Sequence, residues 1–246
     1  MKNTMLLFAC MICNFLIANA QPNWLRYSAI SPDGKTVVFT YKGDLYRVPS
    51  SGGTAIPLTL HEAHDFMPVW SNDGKQIAFA SDRFGNFDIF VIPAEGGEAK
   101  RLTYYSTPEY PYAFTNDNKS VIFGSTRLDD ASNRNYPTSS QPELYKVSVN
   151  AGRVEQIITT PAEDVKLSKS GQYLIYHDKK GGETQWRKHH VSSITRDIWI
   201  YDSKTGKHRK ITTFAGEDRT PVFTDNDKSF YYLSEESGSF LSLIHI

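Results

Sequence analysis

Five copies of one turn cassette constrain this chain more than any other feature. SPDGK at Ser31–Lys35 returns as SNDGK at Ser71–Lys75 and TNDNK at Thr115–Lys119, then decays to SKSGQ at Ser168–Gln172 and TDNDK at Thr224–Lys228. The residue types have a physical reason. An Asp or Asn side chain bonds its own backbone, and Gly or Asn accepts the positive φ that a tight hairpin turn demands. Each copy runs into a short β-branched and aromatic segment: TVVFTY, QIAFAS, SVIFGS, YLIYHD and SFYYLS. Segments of that composition and length after a tight turn read as strands.

A second apolar strand follows in four copies, DLYRVP, DIFVIP, ELYKVS and DIWIYD, each closed by a glycine-containing turn. A last strand ends these units with IPLT, AKRLT, EQIIT and RKIT, and another short strand precedes some cassettes, as FMPVW and RTPVF do. The unit is therefore four short antiparallel strands, repeated, which is the sequence signature of a β-propeller blade. The expected fold is all-β, a propeller of four-stranded antiparallel blades. The cassettes begin at residues 31, 71, 115, 168 and 224, so the period lengthens from 40 to 56 residues. Two polar insertions account for the lengthening, TRLDDASNRNYPTSSQP at Thr126–Pro142 and the basic KKGGETQWRKHHVSSITR at Lys179–Arg196. Added length on a strand scaffold lies in surface loops, where binding commonly resides.

Lys+Arg and Asp+Glu are equal at 27 each in 246 residues, which leaves no global field to draw in nucleic acid or an anionic membrane. Residues 1–20, MKNTMLLFACMICNFLIANA, read as a secretory signal: Lys2 gives the basic start, Met5–Ala18 the apolar run, and Ala18-Asn19-Ala20 the small-x-small cleavage site. Both cysteines, Cys10 and Cys13, fall inside it, so the mature chain carries no thiol, disulfide or thiolate metal site. A periplasmic or secreted protein is expected, with no membrane segment after cleavage. Residues 21–240 form the expected propeller segment. The last six residues, LSLIHI, are similar to the conceptual translation of a sequencing-adaptor end, so native sequence is expected to stop at Phe240.

Several motifs invite catalytic or metal readings. HEAHD at His61–Asp65 places its histidines three apart, whereas the zinc-binding His-Glu-x-x-His helix needs four, and the run leads straight into a strand. It reads as an interblade loop. There is no Gly-x-Ser-x-Gly elbow and no glycine-rich phosphate loop between a strand and a helix. Asp82 and Arg83 read as blade architecture, and Trp70, Trp199 and Tyr201 as packing between blades. No catalytic residue, metal ligand or cofactor is expected. The candidates for substrate or partner contact, chosen by charge and loop position, are Arg127, Arg134, Arg187, Lys188, His189 and His190.

The SPDGK-type turns and the run SDRFGNFDIFVIPAEGGEAKRLT resemble the repeats of TolB-type propellers and of the N-terminal propellers of tricorn-type proteases and prolyl oligopeptidases. YKGDLYRVPSSGG, HEAHDFMPVWSNDGKQIAFASDRFGN and HDKKGGETQWRKHH with TRDIWIYD resemble bacterial tricorn-like proteases in particular, over essentially all of 22–240. TolB itself carries an α/β domain ahead of its propeller, and only a few residues separate Gln21 from the first strand here. The resemblance implies a propeller that gates or channels peptides and scaffolds a serine-protease domain lying far downstream, so no catalytic position carries over. It implies peptides or protein substrates, the C-terminal domains of the same chain and self-association as partners. It also implies six or seven blades. With a fifth cassette that stops after its second strand, the residues then predict an open arc of about four and a half blades. A TolB-like periplasmic protein-binding propeller and the propeller of a prolyl-oligopeptidase-type peptidase are the alternative readings.

Overall fold

The computed structural model describes residues 24–127, 141–180, 191–224 and 227–245. Every element among them is a strand, and the strands form five sheets in chain order. Blade one holds β1 (Arg26–Ile30), β2 (Thr36–Tyr41), β3 (Asp44–Pro49) and β4 (Ile56–Pro57). Blade two holds β5 (Asp65–Trp70), β6 (Gln76–Ser81), β7 (Asp88–Pro93) and β8 (Lys100–Arg101). Blade three holds β9 (Glu109–Phe114), β10 (Ser120–Ser125), β11 (Glu143–Ser148) and β12 (Glu155–Ile158). Blade four holds β13 (Ala162–Leu167), β14 (Tyr173–Asp178), β15 (Ile198–Asp202) and β16 (Lys207–Lys210). Blade five holds β17 (Asp218–Phe223), β18 (Phe230–Ser234) and β19 (Leu241–His245). All neighbouring strands pair antiparallel in sequential order.

Each cassette builds the same turn. In blade one the Gly34 amide donates to the Ser31 carbonyl at 2.8 Å, and the Ser31 hydroxyl donates to Asp33 Oδ1 at 2.6 Å while accepting the Thr36 amide at 2.9 Å. Blade two repeats this with Ser71, Asp73 and Gln76. The fourth cassette position is left-handed in all five copies: Gly34 (φ 72°), Gly74 (69°), Asn118 (58°), Gly171 (72°) and Asp227 (56°). This is why only Gly, Asn and Asp occur there. The cassettes also clasp their neighbours. Asn118 Oδ1 accepts the Asn72 amide at 2.7 Å, Asn116 Nδ2 donates to the Ser168 and Lys169 carbonyls at 2.9 and 2.8 Å, and the Lys169 amide donates to Asp227 Oδ2 at 2.6 Å.

The second strands are apolar at nearly every position because both faces are covered. Ile77 and Phe79 of β6 pack with Val38 and Leu45 of blade one, while Ala78 between them packs with Phe114 and Phe123 of blade three. Alternate side chains thus serve opposite neighbours. Among the described residues the cluster joining blades four and five is small, with Ile175, Ile198 and Phe230 buried in it.

The open arc expected from the sequence is not what forms. Five blades stand in a ring: β1, β5, β9, β13 and β17 all border one axial cavity, through Tyr27, Met67, Tyr110, Asp164 and Thr220. The physical reason lies in what a cassette encodes. It specifies a hairpin, whereas the angle between blades is set by side chains wedged between sheets, which no count of turns records. The fifth blade has three strands rather than two, because residues 241–245 pair along β18.

Candidate functional site

The inner strand of every blade carries a register shift: between Arg26 and Ala29, Phe66 and Val69, Glu163 and Lys166, and Arg219 and Val222, and opposite Ile122 and Phe123 in blade three. At the bulge the backbone is left-handed at Tyr27 (φ 52°), Met67 (54°), Asp164 (51°) and Thr220 (54°). None of these is glycine, and a non-glycine residue in that region costs on the order of 1–3 kcal/mol. Proline stands at the corresponding place in blade three, Pro111, whose ring cannot take positive φ. Bulges re-aim side chains. Here the left-handed residues of blades one, two, four and five border the axis, while blade three presents Tyr110 and Tyr112 on either side of Pro111.

The resulting cavity has a volume of about 740 Å3 and two unlike halves. Blades one to three supply an aromatic arc of Tyr27, Phe66, Tyr110 and Tyr112, with the Met67 thioether among them. Its rings pack edge to face, Tyr27 on Phe66 at 5.2 Å and Phe66 on Tyr110 at 5.8 Å. Tyr112 is seated because Gly124 lies beneath it: a Cβ there would meet the Tyr112 hydroxyl at 2.4 Å. Burial, reinforced by the charges of Glu163 and Asp164, pushes the Tyr112 phenol well above its ordinary value.

Blades four and five supply an ionic arc centred on Glu163. Its Oε2 lies 3.3 Å from His177 Nε2, 3.3 Å from Lys179 Nζ and 3.7 Å from Arg196 Nε. Burial alone would raise the Glu163 carboxyl, but the hydrogen bond and charge of His177 and the charges of Lys179 and Arg196 outweigh it and hold the group at about 2. Arg196 also pairs with Glu217, and its amide donates to Glu217 Oε2 at 3.2 Å. His177 Nδ1 accepts the Thr220 amide at 3.1 Å. Thr220 Oγ1 completes the link from blade five by donating to Asp164 Oδ2 at 3.2 Å. One side of the cavity therefore offers flat apolar surface, and the other offers fixed charges of both signs.

Of the contact candidates chosen from the sequence, Arg127 is described. It donates to Glu109 Oε1, with Nη2 at 2.6 Å, and lies over the rings of Tyr105, Phe123 and Tyr145. Arg134, Arg187, Lys188, His189 and His190 lie outside the described residues. Arg83 pairs with the fully buried Asp65 at 2.7 Å, and Asp82 Oδ1 accepts the His64 amide at 2.7 Å. The SDRFGN run and the end of HEAHD thus close blade two together. Trp70 bridges blades through Nε1, which donates to the Ala29 carbonyl at 3.1 Å, while Trp199 Nε1 donates to Asp178 Oδ2 at 3.0 Å. Among the described residues no group of three or more His, Cys, Asp or Glu is arranged to hold a metal ion.

The axial residues escaped the sequence reading. One signal was present: Met67-Pro68, Tyr110-Pro111 and Thr220-Pro221 put a proline inside three inner strands. Proline within a strand marks an edge or a bulge.

The repeated terminal LT also acquires a role. The Leu45, Ile89 and Ile198 amides donate to the hydroxyls of Thr59, Thr103 and Thr212 at 2.9, 2.9 and 3.0 Å. This clips the short outer strand to β3, β7 and β15.

Residues 22–243 match the family model described as the tricorn protease N-terminal beta propeller domain. Among solved structures, the tricorn protease superposes with a TM-score of 0.75 at 19% identity, covering 91% of this chain and 21% of that one. A putative TolB from Agrobacterium tumefaciens gives 0.72 at 18% identity, covering 91% and 77%. TolB from Acinetobacter baumannii gives 0.65 at 21% identity, covering 90% and 51%. The chain therefore spans about half of the latter TolB and about a fifth of the tricorn protease. No match is found among curated proteins.

Proposed function

The chain belongs to the tricorn protease N-terminal β-propeller family, and from that premise we propose that it is the propeller of an exported tricorn-like protease, gating or channelling peptides along its ring axis and scaffolding a serine-protease domain outside these residues. The observation that supports this reading is the two-sided axial cavity. Its aromatic arc suits side chains of varied shape, and its ionic arc suits the charged ends of a peptide. Stacking on flat rings is tolerant of sequence, whereas charged ends are common to all peptides. The bulged residues are held by the ring itself, so the lining is organised before any ligand arrives.

The insertion residues Arg134, Arg187, Lys188, His189 and His190 are proposed as partner contacts. Arg127, already paired with Glu109, is the poorest of the original set for that role. Acyl-enzyme chemistry would reside in the other domain. The test is direct: purified protein should bind extended peptides and should not hydrolyse them, while addition of the protease domain should confer turnover.

A second reading, a TolB-like propeller that binds folded proteins in the periplasm, is favoured by the 77% coverage of the Agrobacterium chain. It predicts that short peptides fail to bind while a folded partner does.

A further inference from the structure

A buried acid opens the inner strand of three blades: Asp65 in β5, Glu109 in β9 and Asp218 in β17, each no more than 1% exposed. Each pairs across the ladder with the serine that ends the second strand, Ser81, Ser125 and Ser234. Two residues past that serine stand Arg83 in blade two and Arg127 in blade three. Their guanidinium groups reach Asp65 at 2.7 Å and Glu109 at 2.6 Å. They lie over Phe79 and Phe90 in the first case, and over Phe123 and Tyr145 in the second.

Blade five keeps the acid and loses the cation. The position equivalent to Arg83 and Arg127 is Glu236. Neither oxygen of Asp218 has a hydrogen-bond partner, nor has Oε2 of the buried Glu235. Arg219, next in the chain, faces Glu217 and Glu235 electrostatically, lies 4.1 Å from the Phe240 ring and borders the axial cavity, and it makes no hydrogen bond to Asp218. Burial raises the Asp218 carboxyl, the hydroxyls of Ser234 and Thr212, near it but short of hydrogen-bond geometry, oppose this in part, and the charges of Asp197 and Glu236 add to it.

A buried carboxylate stripped of its partner is costly, and blades two and three show which group this cradle accepts. We propose that Asp218 and Glu236 of blade five form a binding site for a guanidinium group supplied in trans by an arginine side chain. The planar fork suits two carboxylates better than a point ammonium does. Tyr232, at the register position of Phe79 and Phe123, provides the ring against which such a group packs. Glu236 to Ser239 are exposed, so entry is from this turn. The site also adjoins the axis, because Arg219 and Leu233, the neighbours of Asp218 and Ser234, border the cavity. Its use by arginine-bearing peptides rests on the peptide reading above; its chemistry does not.

The test titrates L-arginine amide, and L-citrulline amide as the neutral isostere, into the purified protein by calorimetry. It compares wild type with Asp218→Asn and Glu236→Arg. The second variant supplies in cis the residue that blades two and three carry, on an exposed turn, so the fold is retained. Arginine amide should bind wild type saturably and both variants at least tenfold more weakly, citrulline amide should not bind, and Glu236→Arg should melt higher than wild type. Absence of saturable binding to wild type, or binding by either variant as tight as that of wild type, overturns the proposal. A more stable Glu236→Arg beside a wild type that binds nothing also overturns it, since a proton would then be the occupant. Intact arginine-amide binding with no peptide bound at the axis would count against the peptide reading alone.

Discussion

Arg83 reaches Asp65 at 2.7 Å, with the guanidinium 15% and the carboxylate 0% exposed. The two residues close a single blade, and Arg127 with Glu109 closes the next in the same way. Removing the arginine leaves a buried carboxylate without its cation, which costs about 3–5 kcal/mol for a buried pair. Arg83→Ala is therefore expected to lower the urea midpoint strongly. The double variant Asp65→Leu with Arg83→Met should recover most of the loss. Equal stability of Arg83→Ala and wild type would refute the pairing.

Acid stability should follow Glu163. Its carboxyl is held at about 2 against an ordinary 4.5, so its contribution is full above pH 4.5 and is lost as pH falls from there toward 2. Glu163→Gln should cost up to about 3 kcal/mol near neutrality, and the difference from wild type should close across that window. Asp88, Glu109 and Asp218 act in the opposite sense, because burial raises all three and protonation on acidification relieves their cost. Denaturant melts of the wild type and Glu163→Gln at pH 2, 3, 4.5 and 7 separate the two effects.

Gly124 sits where a methyl group would meet the Tyr112 hydroxyl at 2.4 Å and its ring carbons at 2.6 and 2.8 Å. Gly124→Ala must displace a buried tyrosine from the aromatic arc, an overpacking cost of about 1–3 kcal/mol. The expected signature is a lower melting temperature together with a changed tyrosine near-ultraviolet circular dichroism signal. Gly124→Ala with Tyr112→Phe should relieve part of it.

The cassette clasps should add stability in small steps. Asn116→Ala removes two bonds from blade three to the Ser168 and Lys169 carbonyls and is expected to cost about 1 kcal/mol, read from urea unfolding. An unchanged midpoint would mean that water replaces the amide without loss.

Strands and blades were legible because each cassette carries turn chemistry that few residues satisfy, as at Gly34, Gly74 and Asn118. The structural role of Asp82 and Arg83 was legible from their place among the copies. The ring was not, since blade inclination depends on how Phe79 and Ala78 fill opposite seams rather than on any local motif. The axial site was harder still. Tyr27, Met67, Asp164 and Thr220 take positive φ without being glycine, so their bulges leave no glycine to read. They also lie tens of residues apart and converge only when the blades close. The absence of an arginine beside Asp218 follows only from the register, which aligns Glu236 with Arg83 and Arg127.

Fluorescence anisotropy of a labelled extended hexapeptide reads peptide binding at the ring axis. Wild type should bind saturably without cleaving the peptide. Tyr110→Ala in the aromatic arc and Lys179→Ala in the ionic arc should each weaken binding by about tenfold, roughly 1.4 kcal/mol. A wild type that binds no peptide, or one whose affinity neither substitution changes, would contradict the account.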